Sequence, residues 1–201
     1  MKKKEKIIIL ENGNHTLFLE EYYHEHTQRI YDILDKEIGE NMGWELRNCT
    51  KDLEKYLDNE NLKFWSIFFD GRLIGGVFLD LTIKETNVWL RKMANLGYFI
   101  DKPYRGRGYI SIIIPWIITH SFNILGLERI KVGHLENNIV SKKVIERNGF
   151  KLIGMERNYA KPLSSDRYLN HYVYDLIPED LTTKENNFMH VKIIKSFSKF
   201  W

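Results

Sequence analysis

The chain has 201 residues, a length for which one domain is the default. Hydrophobic residues make up 43% and charged residues 28%, a balance that builds one sizeable core and excludes a disordered or collagen-like chain. The net charge of +3 is too small to point to DNA, and the lone Cys49 excludes an internal disulfide framework or a CxxC metal site, so no metal is expected.

The start, Met1-Lys2-Lys3-Lys4 and then Ile7-Ile8-Ile9-Leu10, carries an apolar run far shorter than a signal peptide requires. No later stretch approaches the ~20 apolar residues of a membrane span, so a cytoplasmic protein is expected. Ile7–Leu10 reads as a first strand. Apolar residues from Tyr22 to Ile38 recur at helical spacing, with Gly39 as the stop. Thr50 is the expected N-cap of a short helix carrying Asp52 and Glu54 in its first turn, and Cys49 is expected in the core. Phe64–Phe69 and Leu73–Leu81 flank Asp70-Gly71, a hairpin signal.

Leu96–Ile100 is the next strand, stopped by Asp101-Lys102-Pro103, and an apolar helix runs from Tyr109 to Leu125. Glu128–His134 reads as a strand, Ile139–Arg147 as a helix ended by Asn148-Gly149, and Lys151–Glu156 and Arg167–Leu176 as the last strands. This order predicts an α/β chain with a mixed sheet flanked by helices. Residues 7–180 form the expected domain and 181–201 a basic and apolar extension. The extension reads as a helix docked on the domain or on a second subunit, which would make a homodimer; membrane-surface binding and disorder are the alternatives.

The chemistry centres on a strand, a loop and a helix: Gly97-Tyr98-Phe99-Ile100, then Arg105-Gly106-Arg107-Gly108-Tyr109-Ile110. A helix N-terminus exposes backbone amides without partners and carries partial positive charge. Two glycines let the backbone close around an anion, and two arginines add charge beside it, a combination able to hold a pyrophosphate. The loop is no P-loop, which needs Lys and Ser or Thr after its last glycine, and Ser111 stands where a dinucleotide fingerprint wants glycine or alanine. About thirty residues on, Asn138 stands as an N-cap with Ser141 on the first turn behind it, at the same edge of the sheet.

Together these residues resemble the GNAT N-acetyltransferases, above all the branch of ribosomal-protein alanine and serine acetyltransferases. The matches are Leu96-Gly97-Tyr98, Arg105-Gly106-Arg107-Gly108, Phe122, Leu125-Gly126-Leu127, Arg129-Ile130, Asn138-x-x-Ser141 and Asn148-Gly149-Phe150. The resemblance implies the GNAT fold, a mostly antiparallel twisted sheet of about seven strands. It implies acetyl-CoA as cosubstrate, its pyrophosphate on the amides from Arg105 to Ile110. The pantetheine would pair with Tyr98, Phe99 and Ile100 and be held by Asn138, with Ser141 near the sulfur. The activity implied is direct acetyl transfer to a primary amine. A protein N-terminus is favoured over a polyamine or an antibiotic, and a silent acyl-CoA-binding module is the rival reading.

The sequence departs from this pattern in three places. Ile110 replaces a small residue, Pro115 lies inside the helix, and Asn95 stands where relatives carry a glutamate base. Glu85, Asp101 or a histidine could serve instead through water. Of the histidines, His134 reads as a structural residue, His24 and His26 as a helix face, and His171 as a strand residue of undecided facing.

Overall fold

The computed structural model describes residues 6–12, 15–42, 49–81, 92–162, 165–183 and 192–198. Nine strands form one sheet: β1 (Lys6–Asn12), β2 (His15–Glu21), β3 (Leu62–Phe69), β4 (Arg72–Asp80), β5 (Met93–Ile100), β6 (Arg129–Leu135), β7 (Lys151–Ala160), β8 (Leu169–Leu176) and β9 (Lys192–Ser198). Their order across the sheet is β7-β8-β6-β5-β4-β3-β2-β1-β9. Every neighbouring pair is antiparallel except β5 and β6. A parallel pair needs a long crossover, and helix α4 (Tyr109–Asn123) supplies it. The remaining helices are α1 (Thr27–Ile33), α2 (Lys36–Met42), α3 (Thr50–Leu57) and α5 (Ile139–Arg147).

The sheet thus has two strands more than the seven expected, His15–Glu21 and Lys192–Ser198. The second lies where the extension was expected to be helical. Lys192–Ser198 pairs antiparallel with β1 instead, because β1 otherwise leaves a strand edge for another segment to cover. The expected helix from Tyr22 to Ile38 is two helices. The chain breaks at Leu34-Asp35, where Asp35 Oδ1 accepts the amide of Ile38 at 2.8 Å, and Gly39 lies inside α2. Thr50 is the first helical residue of α3, and its N-cap is Cys49, which is exposed and makes no side-chain cap bond. The hairpin forms as expected, with Asp70 at φ 50° and Gly71 at φ 69° between Phe69 and Arg72.

Strand alternation divides the core in two. Val77, Leu79, Ala94, Leu96, Ile130 and Val132 pack on one face with α4 and with Ile145 of α5. Phe64, Leu73, Phe78 and Phe99 pack on the other with Ile30, Ile33 and Ile38 of α1 and α2 and Leu53 and Leu57 of α3. Helix α4 continues through Pro115. Ile112, Ile113, Ile114, Trp116, Ile117 and Ile118 are all buried. Burial on that scale, at about 1.5–3 kcal/mol per large side chain, outweighs the ~3 kcal/mol a helix-interior proline costs.

Candidate active site

The site begins where β5 and β6 part. Their ladder runs from Met93 and Arg129 to Asn95 and Lys131, and no pairing between them continues beyond it among the described residues. Both strands keep partners on their far sides, β4 along Gly75–Asp80 and β8 along His171–Leu176. The result is a wedge-shaped cleft of about 1000 Å³ that reaches from Asn95 to the loop ahead of α4. Its walls include Leu96–Ile100 from β5, Lys131–Leu135 from β6, and Asn138 and Ser141 at the start of α5.

The loop closes the wide end of the wedge. Gly106 and Gly108 adopt φ of 75° and 80°, a region that only glycine enters without cost, and Gly108 is the N-cap of α4. Among the described residues, no protein acceptor meets the amides of Gly106, Arg107, Gly108 or Ile110. Tyr109 is buried at the head of the helix. These donors and the helix dipole suit an anion.

The two arginines differ. Arg105 donates through Nε to Ile100 O at 2.9 Å and through NH1 to Glu37 at 2.7 Å, with Asp35 at 3.8 Å. It ties the loop to the end of β5 and to α2. Arg107 donates to Pro103 O at 3.0 Å, lies 5.4 Å from the Tyr104 ring centroid and is otherwise exposed at the cleft.

Inside the wedge, the two faces of the sheet present different groups. On the α4–α5 face Tyr98 meets Ser141, hydroxyl to hydroxyl, at 2.9 Å. Burial pushes the Tyr98 phenol up to about 12, although the bond to Ser141 acts the other way. Asn138 Oδ1 accepts the Ser141 amide at 3.1 Å, the capping bond expected from the sequence, and this fixes where the Ser141 hydroxyl stands. Sequence reasoning assigns a role only to the Tyr98 backbone; its side chain shares the face of Leu96 and Ile100, a fact that strand alternation alone could have signalled.

His134 also lies on this face, buried. Its Nδ1 donates to Leu135 O at 2.8 Å and its ring stacks on Tyr172. Burial lowers its pKa below the usual value, against the pull of that hydrogen bond, and so favours the neutral ring.

On the α1–α3 face, register aligns Asp80, Asn95 and Lys131 across three strands, then Phe78 and Gly97, with Gly133 and His171 beyond. Glu156 stands directly opposite His171 in the β7–β8 ladder, and its Oε2 lies 2.7 Å from His171 Nδ1. Asn95 is exposed in the cleft. Asp101 is held by Arg29 in an ion pair, and Glu85 lies outside the described residues. His24 is exposed, while His26 bonds Ser66 through Nδ1 at 2.9 Å, outside the cleft walls. Among the described residues no cluster of His, Cys, Asp and Glu could hold a metal ion, and no helix is long and apolar enough to cross a membrane.

Comparison with known proteins identifies the family. The chain is 34% identical over 92 residues to a probable N-acetyltransferase, YjcK, of Bacillus subtilis (strain 168), covering 46% of this chain and 49% of that one. It therefore spans about half of that relative's length. It is 28% identical over 128 residues to a probable spermine N(1)-acetyltransferase of Bacillus subtilis subsp. natto, covering 61% and 81%. With a putative ribosomal N-acetyltransferase, YdaF, of Bacillus subtilis (strain 168) it shares 29% over 119 residues, covering 59% and 58%.

Among solved structures, a spermidine N-acetyltransferase from Vibrio cholerae in complex with CoA and spermine has the same fold. Its TM-score is 0.71 at 18% identity, covering 83% of this chain and 98% of that one. RimL, a ribosomal L7/L12 α-N-protein acetyltransferase in complex with coenzyme A, gives 0.70 at 19%, covering 84% and 97%. Residues 16–151, well over half of the sequence, match the family described as Acetyltransferase (GNAT) domain, and on that match the chain belongs to the GNAT acetyltransferases.

Proposed function

We propose that this chain transfers the acetyl group of acetyl-CoA directly to a primary amine, and that a protein N-terminal amine is the favoured acceptor. The observation that carries the reading is the parting of β5 from β6 beyond Asn95 and Lys131, with amides of a helix N-terminus at its wide end and the Tyr98–Ser141 pair inside. In this reading the pyrophosphate binds the amides from Gly106 to Ile110, the Arg105 amide being engaged by Lys102 O at 3.3 Å, with Arg107 as the nearby charge. The pantetheine runs along Tyr98, Phe99 and Ile100, beside Asn138. The acetyltransferase unit is residues 7–180, and the extension 181–201 adds a strand to its β1 edge.

Attack by the amine turns the thioester carbonyl into an oxyanion, which a β5 amide near Tyr98 can stabilise. The leaving sulfur needs a donor, the role we assign to Ser141 together with Tyr98. A phenol near 12 facing a thiol of about 8.5 makes full proton transfer uphill by roughly three to four pKa units. The hydroxyl pair therefore holds the departing thiolate by hydrogen bonds, and solvent protonates it.

Of the acidic residues that line the cleft, Glu37 is paired with Arg105, Glu156 hydrogen-bonds His171, and Asp80 stands beside Asn95. An α-amine, with one charge and a pKa near ~7.7–8.0, needs less from these groups than a polyamine with several cations. Relatives named for spermine and spermidine keep the polyamine as the second reading.

Thiol release from acetyl-CoA with peptides bearing N-terminal Ala or Ser, with spermidine and with an aminoglycoside tests both. Faster turnover of the peptides is expected. Saturable acetyl-CoA binding with no amine-stimulated release would make the chain a silent acyl-CoA-binding module.

A further inference from the structure

Asn95 leaves the site without a carboxylate base on β5, and the face of the cleft where the amine must arrive carries a different candidate. His171 projects from β8 on the α1–α3 face, the face of Asn95 and Lys131. Its Nδ1 lies 2.7 Å from Glu156 Oε2. A carboxylate only accepts, so Nδ1 carries the proton and Nε2 is left with its lone pair. The ring is also held by stacking on Tyr159, centroids 4.5 Å apart at 26°. Its accessibility is 23%, partly open to the cleft it lines.

The position of Nε2 is set by Gly133. A methyl group placed on Gly133 would come within 2.2 Å of His171 Nε2 and 2.7 Å of Cε1, so the imidazole occupies the space a side chain there would take. Gly133 stands two residues past Lys131, the last β6 residue paired with β5. The free nitrogen of His171 therefore sits where the strands have just separated, across the wedge from Gly97 and Tyr98. The hydroxyl pair lies on the opposite face.

Resting on the acetyltransferase reading above, we infer that His171 is the general base for the acceptor amine, oriented by Glu156 and admitted by Gly133. The incoming ammonium gives one proton to Nε2, which passes it to solvent. The neutral nitrogen then forms the C–N bond, the carbonyl π electrons move to oxygen, and Nε2 takes the second N–H proton. Collapse of the oxyanion breaks the C–S bond, Nε2 returns its proton to solvent, the thiolate takes one from solvent, and the net release is one proton per turnover. An α-amine, near ~7.7–8.0, gives up its first proton far more readily than a lysine-like amine near ~10.4, so an imidazole base suits an N-terminal acceptor.

The test uses the full chain with the fastest peptide acceptor. His171→Gln keeps a partner for Glu156 and should lower kcat about a hundredfold or more while the Kd of acetyl-CoA stays unchanged. Added imidazole should restore part of the activity of His171→Ala, which a merely structural role does not allow. Glu156→Gln should cost about tenfold in kcat, and Gly133→Ala, by displacing the ring, should resemble His171→Gln. Turnover of His171→Gln within threefold of wild type, or the absence of imidazole rescue, overturns the assignment while leaving the acetyltransferase reading intact. A wild-type chain that acetylates no amine overturns both.

Discussion

The two faces of the wedge make opposite use of the same strands. On the α4–α5 face the polar groups bond protein: Tyr98 and Ser141, half-buried at the cleft, bond each other, and His134 is buried against a carbonyl and an aromatic ring. On the α1–α3 face His171 and Glu156 are paired yet reachable from the cleft. Adjacent residues of a strand point to opposite faces, so β5 and β8 each supply both environments from neighbouring positions. A thioester threaded between the strands would have its sulfur toward hydroxyls whose protons stay on, and its carbonyl within reach of an amine from the basic side. The lesson is one of division: burial raises the pKa of the Tyr98 phenol on one face, and the other presents the His171–Glu156 pair to the cleft.

That division can be attacked first at the mouth of the wedge, which serves both faces. Gly108→Asp should raise the Kd of acetyl-CoA about a hundredfold by calorimetry. Asp tolerates positive φ and caps helices, and a side chain there meets nothing within 4 Å, so the fold should persist while a carboxylate covers the amides. Unchanged affinity would falsify the loop assignment.

The α4–α5 face comes next. Tyr98→Phe removes a donor worth about 1.5–3 kcal/mol to a charged group and should lower kcat about ten- to a hundredfold at constant Kd for acetyl-CoA. Ser141→Ala leaves the Tyr98 hydroxyl in place and should cost only a few-fold. If Ser141→Ala proves the more damaging in steady-state kinetics, serine rather than tyrosine holds the sulfur.

Smaller effects concern stability. Asn138→Ala removes the cap of α5 and should lower stability by about 1 kcal/mol, or about 2–4 °C in Tm by calorimetry. Its loss should also loosen Ser141, so kcat should fall slightly as well.

The least effect is the pH dependence of His134. Burial lowers its pKa in the folded state, so below the unfolded value of ~6.5 the unfolded chain takes up a proton that the folded chain refuses. Stability from this group is therefore complete above that pH and declines as pH falls through and below it. His134→Phe should flatten the fall of Tm between pH 6.5 and 5; parallel curves for the two proteins would exclude a titrating His134.

Much of the site is legible in the amino-acid sequence because its signals are local. Gly106 and Gly108 ahead of an apolar helix, Asp70-Gly71 between strands, and Asn138 three residues before Ser141 each describe geometry that a few consecutive residues close by themselves. Other local signals mislead where a tertiary partner competes: the helical spacing from Tyr22 to Ile38 does not reveal Asp35 capping α2, and the basic, apolar extension pairs with β1 as a strand. Arg105 reads as a charge beside the anion from its place in the loop, and only the fold shows its bonds to Glu37 and Ile100 O.

By itself, then, the order of residues determined the strand–loop–helix cradle, the cap of α5 and a family resemblance, since each depends on torsions and hydrogen bonds spanning four or five positions. The tertiary structure alone decided where β5 and β6 separate, which hydroxyl meets Ser141, and that His171 stands over Gly133 beside Glu156. Those contacts join residues 15 to 43 positions apart, through the registers of four strands. A one-residue slip in any register would turn the same side chains to the other face, so their meeting is a property of the assembled sheet.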